Sequence, residues 1–200
     1  MDPQVVFVKS DSPYQSLGDL IAAAKENPIS VPFGVTTPGS LDRQVMEQFK
    51  ALTGVTSPVI THDGGGELLI SVLNETVAVA IGEIQELSAQ IEAGEIRLLA
   101  TYTEERLDNF PDVPTAREEG VDLVVTKFRG IAGPRGLPQD IKDLWAEGIA
   151  RVLEDPEFKE WYTAQSLVPT LMPADEYEAF LTQFAEEQKA FLIEYGILKP

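Results

Sequence analysis

Apolar residues fall along this chain in two ways, as short continuous runs and as stretches with helical spacing. Glycine, proline or a capping residue marks each change from one to the other. The run at 5–8 predicts a strand. Ser16 and Asp19 have the spacing of a capping box, opening a helix that Asn27-Pro28 ends. Residues 30–35 predict the next strand, and the loop Thr36-Thr37-Pro38-Gly39 leads to Ser40 as an N-cap. The helix that follows carries Val45, Met46, Phe49 and Leu52 on one face and is closed by Gly54. A strand at 59–61, a glycine turn at 64–66 and a helix at 67–73 come next. They are followed by a buried strand at 77–81, a helix at 83–92 with Gly94 as C-cap, and a strand at 96–101. This order predicts an α/β fold around a mainly parallel sheet. Residues 115–118 predict a short capped helix and 121–128 an extended run.

Past Gly130 the period changes. Residues 130–138 form a Gly/Pro-rich connection, after which helices dominate. Ile141, Leu144, Trp145, Ile149, Val152 and Leu153 make one apolar stripe. Asp155-Pro156 opens a second helix with Phe158, Trp161 and Tyr162 on a face. Pro173 and Asp175 open a third, whose Tyr177, Phe180, Leu181, Phe184, Phe191, Leu192 and Tyr195 read as core packing.

Composition narrows the function. The 200 residues hold 15 Lys plus Arg against 33 Asp plus Glu, a net charge of −18. Such a field repels phosphate backbones and anionic membranes, so no nucleic-acid or membrane-surface partner is expected. The absence of cysteine removes disulfides, zinc ribbons and thiol nucleophiles together, and the single histidine, His62, thins the catalytic options. No run of about 18 apolar residues suggests a membrane span, and the opening MDPQVVFVKS does not read as a signal peptide. No metal constellation or cofactor motif stands out.

Several positions carry candidate chemistry. The loop of Thr36, Thr37, Gly39 and Ser40 joins the carboxyl end of a strand to a helix, where free N–H groups and the helix dipole favour an anion. It reads equally as an ordinary capped turn. Gly64 and Gly65, in His62-Asp63-Gly64-Gly65-Gly66-Glu67, allow close backbone approach to a ligand or simply make a tight turn. They lack the lysine and spacing of a phosphate loop. Glu83 and Glu86 suit a hydroxyl or a cation, or are a solvated pair. Arg129 offers a guanidinium fork to a carboxylate, or a surface ion pair. Arg97, Arg106 and Arg117 read as structural or solvated charges. A Ser40/His62 hydrolase is a weak third reading, because no nucleophile elbow is present.

The order of these segments resembles the substrate-binding receptors of tripartite tricarboxylate transporters, a branch of the periplasmic binding proteins. The resemblance runs through Ser16-Leu17-Gly18-Asp19-Leu20, the loop from Gly34 to Ser40, and the His62–Glu67 turn. It continues through Ile91-Glu92-Ala93-Gly94-Glu95-Ile96-Arg97-Leu98-Leu99-Ala100, Phe110-Pro111-Asp112-Val113-Pro114-Thr115, and Gly130-Ile131-Ala132-Gly133-Pro134-Arg135-Gly136-Leu137-Pro138. It implies a two-lobed clamp that holds a small carboxylate largely through loop amides, hydroxyls and bridging waters. A membrane transporter would be its partner, the periplasm its location, and it would not be an enzyme. Thr36, Thr37, Gly39 and Ser40 match the second lobe's ligand loop, while Gly64, Gly65 and Glu83 match segments bordering the cleft. Residues 9–126 would form the second lobe, and 127–200 would return to a first lobe whose usual N-terminal part this chain lacks. Hinges are expected at 8–10 and 126–130, and the C-terminal helices, lacking that lobe's sheet, could pack against another copy. Pro38 departs from the ligand loop's pattern by removing a backbone donor. A sensory domain of the same architecture is the alternative function.

Overall fold

The strand Gln4–Lys9 (β1) alternates its side chains between two hydrophobic layers. Val6 and Val8 join one cluster, Val5 and Phe7 the other. A strand buried on both faces belongs at the centre of a sheet covered by helices on both sides, which is why its sequence is a continuous apolar run. The computed structural model describes residues 2–125 and 127–199. The chain divides into two compact units, Asp2–Lys127 and Phe128–Pro200.

The described residues of the first unit form one five-stranded sheet in the order β3-β2-β4-β1-β5. Here β2 is Phe33–Val35, β3 is Val59–Thr61, β4 is Val79–Glu83 and β5 is Ile96–Thr101. β2 pairs in parallel with both β3 and β4. β1 pairs antiparallel with β4 and β5. Four strands therefore point one way and β1 opposes them. Helices α1 (Leu17–Glu26) and α2 (Leu41–Thr53) cover one face with Leu17, Leu20, Val45, Met46 and Phe49. Helices α3 (Gly65–Leu73) and α4 (Ile84–Glu92) cover the other with Leu68, Val72, Ile84 and Leu87.

Local signals act as their chemistry requires. Ser16 and Asp19 close a reciprocal capping box on α1, and Gly54 ends α2 in the left-handed conformation at φ 74°. The strand expected from residue 30 begins only at Phe33, because Pro28–Ser30 forms a turn of 3-10 helix. Residues 115–118 make both capping hydrogen bonds, Thr115 N–H to Glu118 Oε2 at 2.8 Å and Glu118 N–H to Thr115 Oγ1 at 3.2 Å. The turn does not propagate into a helix, since Gly120 leaves at φ 85°. The described residues of the expected extended run, 121–125 and 127–128, are irregular chain apart from a bridge between Lys127 and Asp2. Thr126, within that run and the second expected hinge, lies outside the described residues. At the first expected hinge, Val8 and Lys9 pair with Arg97 and Ile96 in the sheet. Arg97 reinforces the turn beyond, donating to the carbonyls of Ser10, Tyr14 and Ser12 at 2.5, 3.0 and 3.2 Å, which makes it structural.

The second unit contains α5 (Gln139–Glu154), α6 (Pro156–Ala164) and α7 (Ala174–Glu194). Asp155 caps α6 by accepting from Phe158 N–H, with Pro156 at the first helical position. Phe128 sits edge-on to Tyr177, Phe180 and Phe184 of α7, with ring centroids 5.9, 5.0 and 5.0 Å away. The apolar stripe of α5 stays outward, with Trp145 56% and Leu144 65% exposed, and Trp161 of α6 is 49% exposed. Of the α7 stripe, Phe191 is buried. No helix among the described residues is long and apolar enough to cross a membrane.

Candidate functional site

The carboxyl ends of β2, β3 and β4 share one edge of the sheet, and β1, running the other way, brings Gln4 to that edge opposite Glu83. The helices that follow the neighbouring strands β2 and β4 leave for opposite faces. Loops that diverge in this way open a crevice at the strand ends, the place where α/β sheets hold small ligands.

The loop from Thr36 to Ser40 forms one lip. Ser40 N–H donates to the Thr37 carbonyl at 3.0 Å, closing a four-residue turn with Pro38 in its second position. A fixed φ suits that position and the turn asks no N–H of it, so Pro38 shapes the loop instead of spoiling it. Ser40 Oγ accepts from Arg43 N–H at 3.2 Å and so caps α2. The Leu41 and Asp42 N–H groups have no partner within the helix and open from its N-terminus. Thr37 and Gly39 are exposed, while Thr36 and Ser40 are half-buried. On the neighbouring loop Gly64 is the N-cap of α3. A β-carbon on Gly65 would collide with the Glu86 carboxylate, so glycine lets the first turn of α4 approach the start of α3. His62 is buried with Nδ1 3.1 Å from the Val35 carbonyl. Its ring thus steadies the end of β2 and makes no pair with Ser40, whose oxygen is engaged at the cap. The geometry does not assemble the Ser40/His62 hydrolase.

Beneath the lip lies a polar network. Thr36 Oγ1 donates to Asp42 Oδ2 at 2.5 Å. Gln4 Nε2 donates to Asp42 Oδ1 at 2.9 Å and to Glu83 Oε1 at 3.0 Å, and Lys127 Nζ completes the set as an ion pair with Glu83. Gln4, Glu83 and Asp42 are 0%, 4% and 5% exposed. Burial holds the Asp42 carboxyl above its ordinary range. The Thr36 hydrogen bond opposes that rise, the Glu83 charge adds to it, and Gln4 and Lys127 oppose it again. Burial also raises Glu86, with the neighbouring Glu83 charge adding to it and Lys127 opposing.

Of the expected residues, Thr36, Thr37, Gly39, Ser40, Gly64, Gly65 and Glu83 lie along this edge. Glu83 is buried there, with its Oε1 engaged by Gln4 and Lys127. Arg129 is exposed and belongs to the second unit. Gln4, Asp42 and Lys127 are the residues that sequence reasoning missed. A polar residue heading an apolar strand was a signal for Gln4. Asp42 resembled any first-turn acid, and nothing local marked Lys127. Among the described residues no group of three His, Asp or Glu side chains could hold a metal ion.

Comparison with known proteins bears on the family and the fold. The family described as tripartite tricarboxylate transporter family receptor matches residues 1–197. A UPF0065 protein from the gbd 5′ region of Cupriavidus necator is 28% identical over 196 residues, 97% of this chain and 59% of its own length. The chain thus spans about three-fifths of the length of that curated relative. An R. palustris protein solved with adipate superposes with a TM-score of 0.83 at 26% identity, covering 94% of this chain and 64% of that one. The periplasmic binding protein BugD superposes with a TM-score of 0.80 at 20% identity, covering 98% and 66%.

Proposed function

We propose that this chain, which belongs to the tripartite tricarboxylate transporter receptor family, forms the ligand-capturing part of a periplasmic solute receptor that delivers a small carboxylate to a membrane transporter. One observation carries the reading. The turn from Thr37 to Ser40 and the N-terminus of α2 lie at the strand ends where the helices after β2 and β4 diverge, the place where α/β sheets hold ligands. A carboxylate there meets free N–H groups, the positive end of the helix dipole and the hydroxyls of Thr37 and Ser40. The R. palustris protein with adipate shares the fold, which supports an aliphatic acid as the occupant. Such a receptor binds and releases its ligand unchanged. In this reading Asp2–Lys127 is the second lobe and Phe128–Pro200 the segment that returns to the first, with the ligand committed as the lobes close.

The test is calorimetric titration and thermal shift of the chain against adipate, malate and a tricarboxylate. A ligand at 100 times its Kd adds about 2.7 kcal/mol to stability. Thr37→Ala removes an exposed hydroxyl and nothing from the core, and the expected result is about tenfold weaker binding of the selected acid, equivalent to ~1.4 kcal/mol. Equal affinity in the variant, or no response to any acid, overturns the assignment.

A further inference from the structure

The buried network runs without a break from the ligand loop to the last residue of the first unit. Thr36 Oγ1 donates a hydrogen bond to Asp42, Gln4 bridges Asp42 and Glu83, and Glu83 ends on Lys127, next in sequence to Phe128, where the second unit begins. The Lys127 backbone is tied as well, its carbonyl accepting from Asp2 N–H at 2.9 Å. Two buried carboxylates and a buried amide cost more than apolar side chains of the same volume, so a merely structural filler would be apolar. What such a network adds is geometry, because Gln4 meets both carboxylates only with its amide nitrogen turned to them, its Oε1 being left without a partner. With its hydroxyl hydrogen directed at Asp42, the Thr36 side chain is fixed in orientation at the start of the loop. That fixes the first residue of the loop, and the network transmits the constraint to Lys127.

We infer that Lys127 is a positioning residue for the ligand loop from Thr36 to Ser40, acting through Glu83, Gln4 and Asp42 and linking carboxylate binding to the segment where the chain passes from one unit to the next. The inference rests on the ligand reading above, and its test separates the two. Backbone hydrogen exchange at residues 36–41 and calorimetric affinity for adipate are measured in the full chain, in Lys127→Met, in Lys127→Arg and in the control Lys50→Met. Lys50 pairs with Glu47 outside the network. The expected result is faster exchange at 36–41 and about five- to tenfold weaker adipate binding in Lys127→Met, both restored in Lys127→Arg and neither moved in the control. Unchanged exchange at 36–41 overturns the inference, as does faster exchange with unchanged affinity. If the unaltered chain binds no adipate, the adipate assignment fails, and the exchange result alone decides whether Lys127 holds the loop. Should Lys127→Met not fold, Thr36→Val reads the network from its other end. Exchange of Asp2 N–H should then accelerate, and its failure to do so overturns the inference.

Discussion

Asp42 shows how a single residue joins stability to the site. Its carboxyl is raised mainly by burial, so the folded chain holds that proton more tightly than the unfolded chain, whose aspartates titrate near about 3.9. The sign follows from proton counting. The contribution of this group to stability is full below the unfolded value and is lost as pH rises through the folded one. Asp42→Asn removes the titration, so the stability of the variant relative to the parent should climb as pH rises above about 4, the ordinary aspartate value, measured by urea unfolding at several pH values. A constant offset across that range would contradict the assignment, since lost hydrogen bonds alone do not vary with pH. The same residue shows why part of the site was illegible in the sequence. An acid on the first turn of a helix is ordinary, and only the antiparallel pairing of β1 with β4, which sets Gln4 beside Glu83, turns it into the middle of a network.

At the scale of elements, the sequence was informative wherever the cause was local. Ser16, Ser40 and Gly54 mark helix ends through hydrogen bonds and backbone conformations involving neighbouring residues, and these ends fall where expected, while α4 is capped by Ala93 with Gly94 left-handed just after it. Thr115 and Glu118 show the limit, because the capping signal is obeyed while the helix is not made. Contacts between elements are silent in sequence, and Gly34 is one of them. A β-carbon there would lie 2.5 Å from Leu68 Cδ1 and 2.9 Å from Val77 Cγ2, so β2 and α3 meet only because this position is glycine. Gly34→Ala should therefore cost about 1–3 kcal/mol through overpacking, read as a lower urea midpoint by far-UV circular dichroism. Tolerance of alanine would show that α3 is free to shift.

Across the whole molecule, a charge of −18 opposes an anionic ligand, and the amides and dipole at the α2 N-terminus must outweigh it locally. The general field is screened beyond a Debye length of about 8 Å at physiological salt, whereas direct contacts in a crevice are screened far less. Adding salt should thus leave carboxylate affinity unchanged or strengthen it in calorimetric titrations, and a steep loss would contradict this balance. The two tryptophans of the chain, Trp145 and Trp161, both lie on helices of the Phe128–Pro200 unit and both are about half exposed. Their emission therefore comes from the unit that does not carry the crevice. Tryptophan fluorescence carries no probe in the Asp2–Lys127 unit. A spectral change on adding an acid would not be a sign of occupancy alone, but an optical report that the unit without the crevice has registered the event.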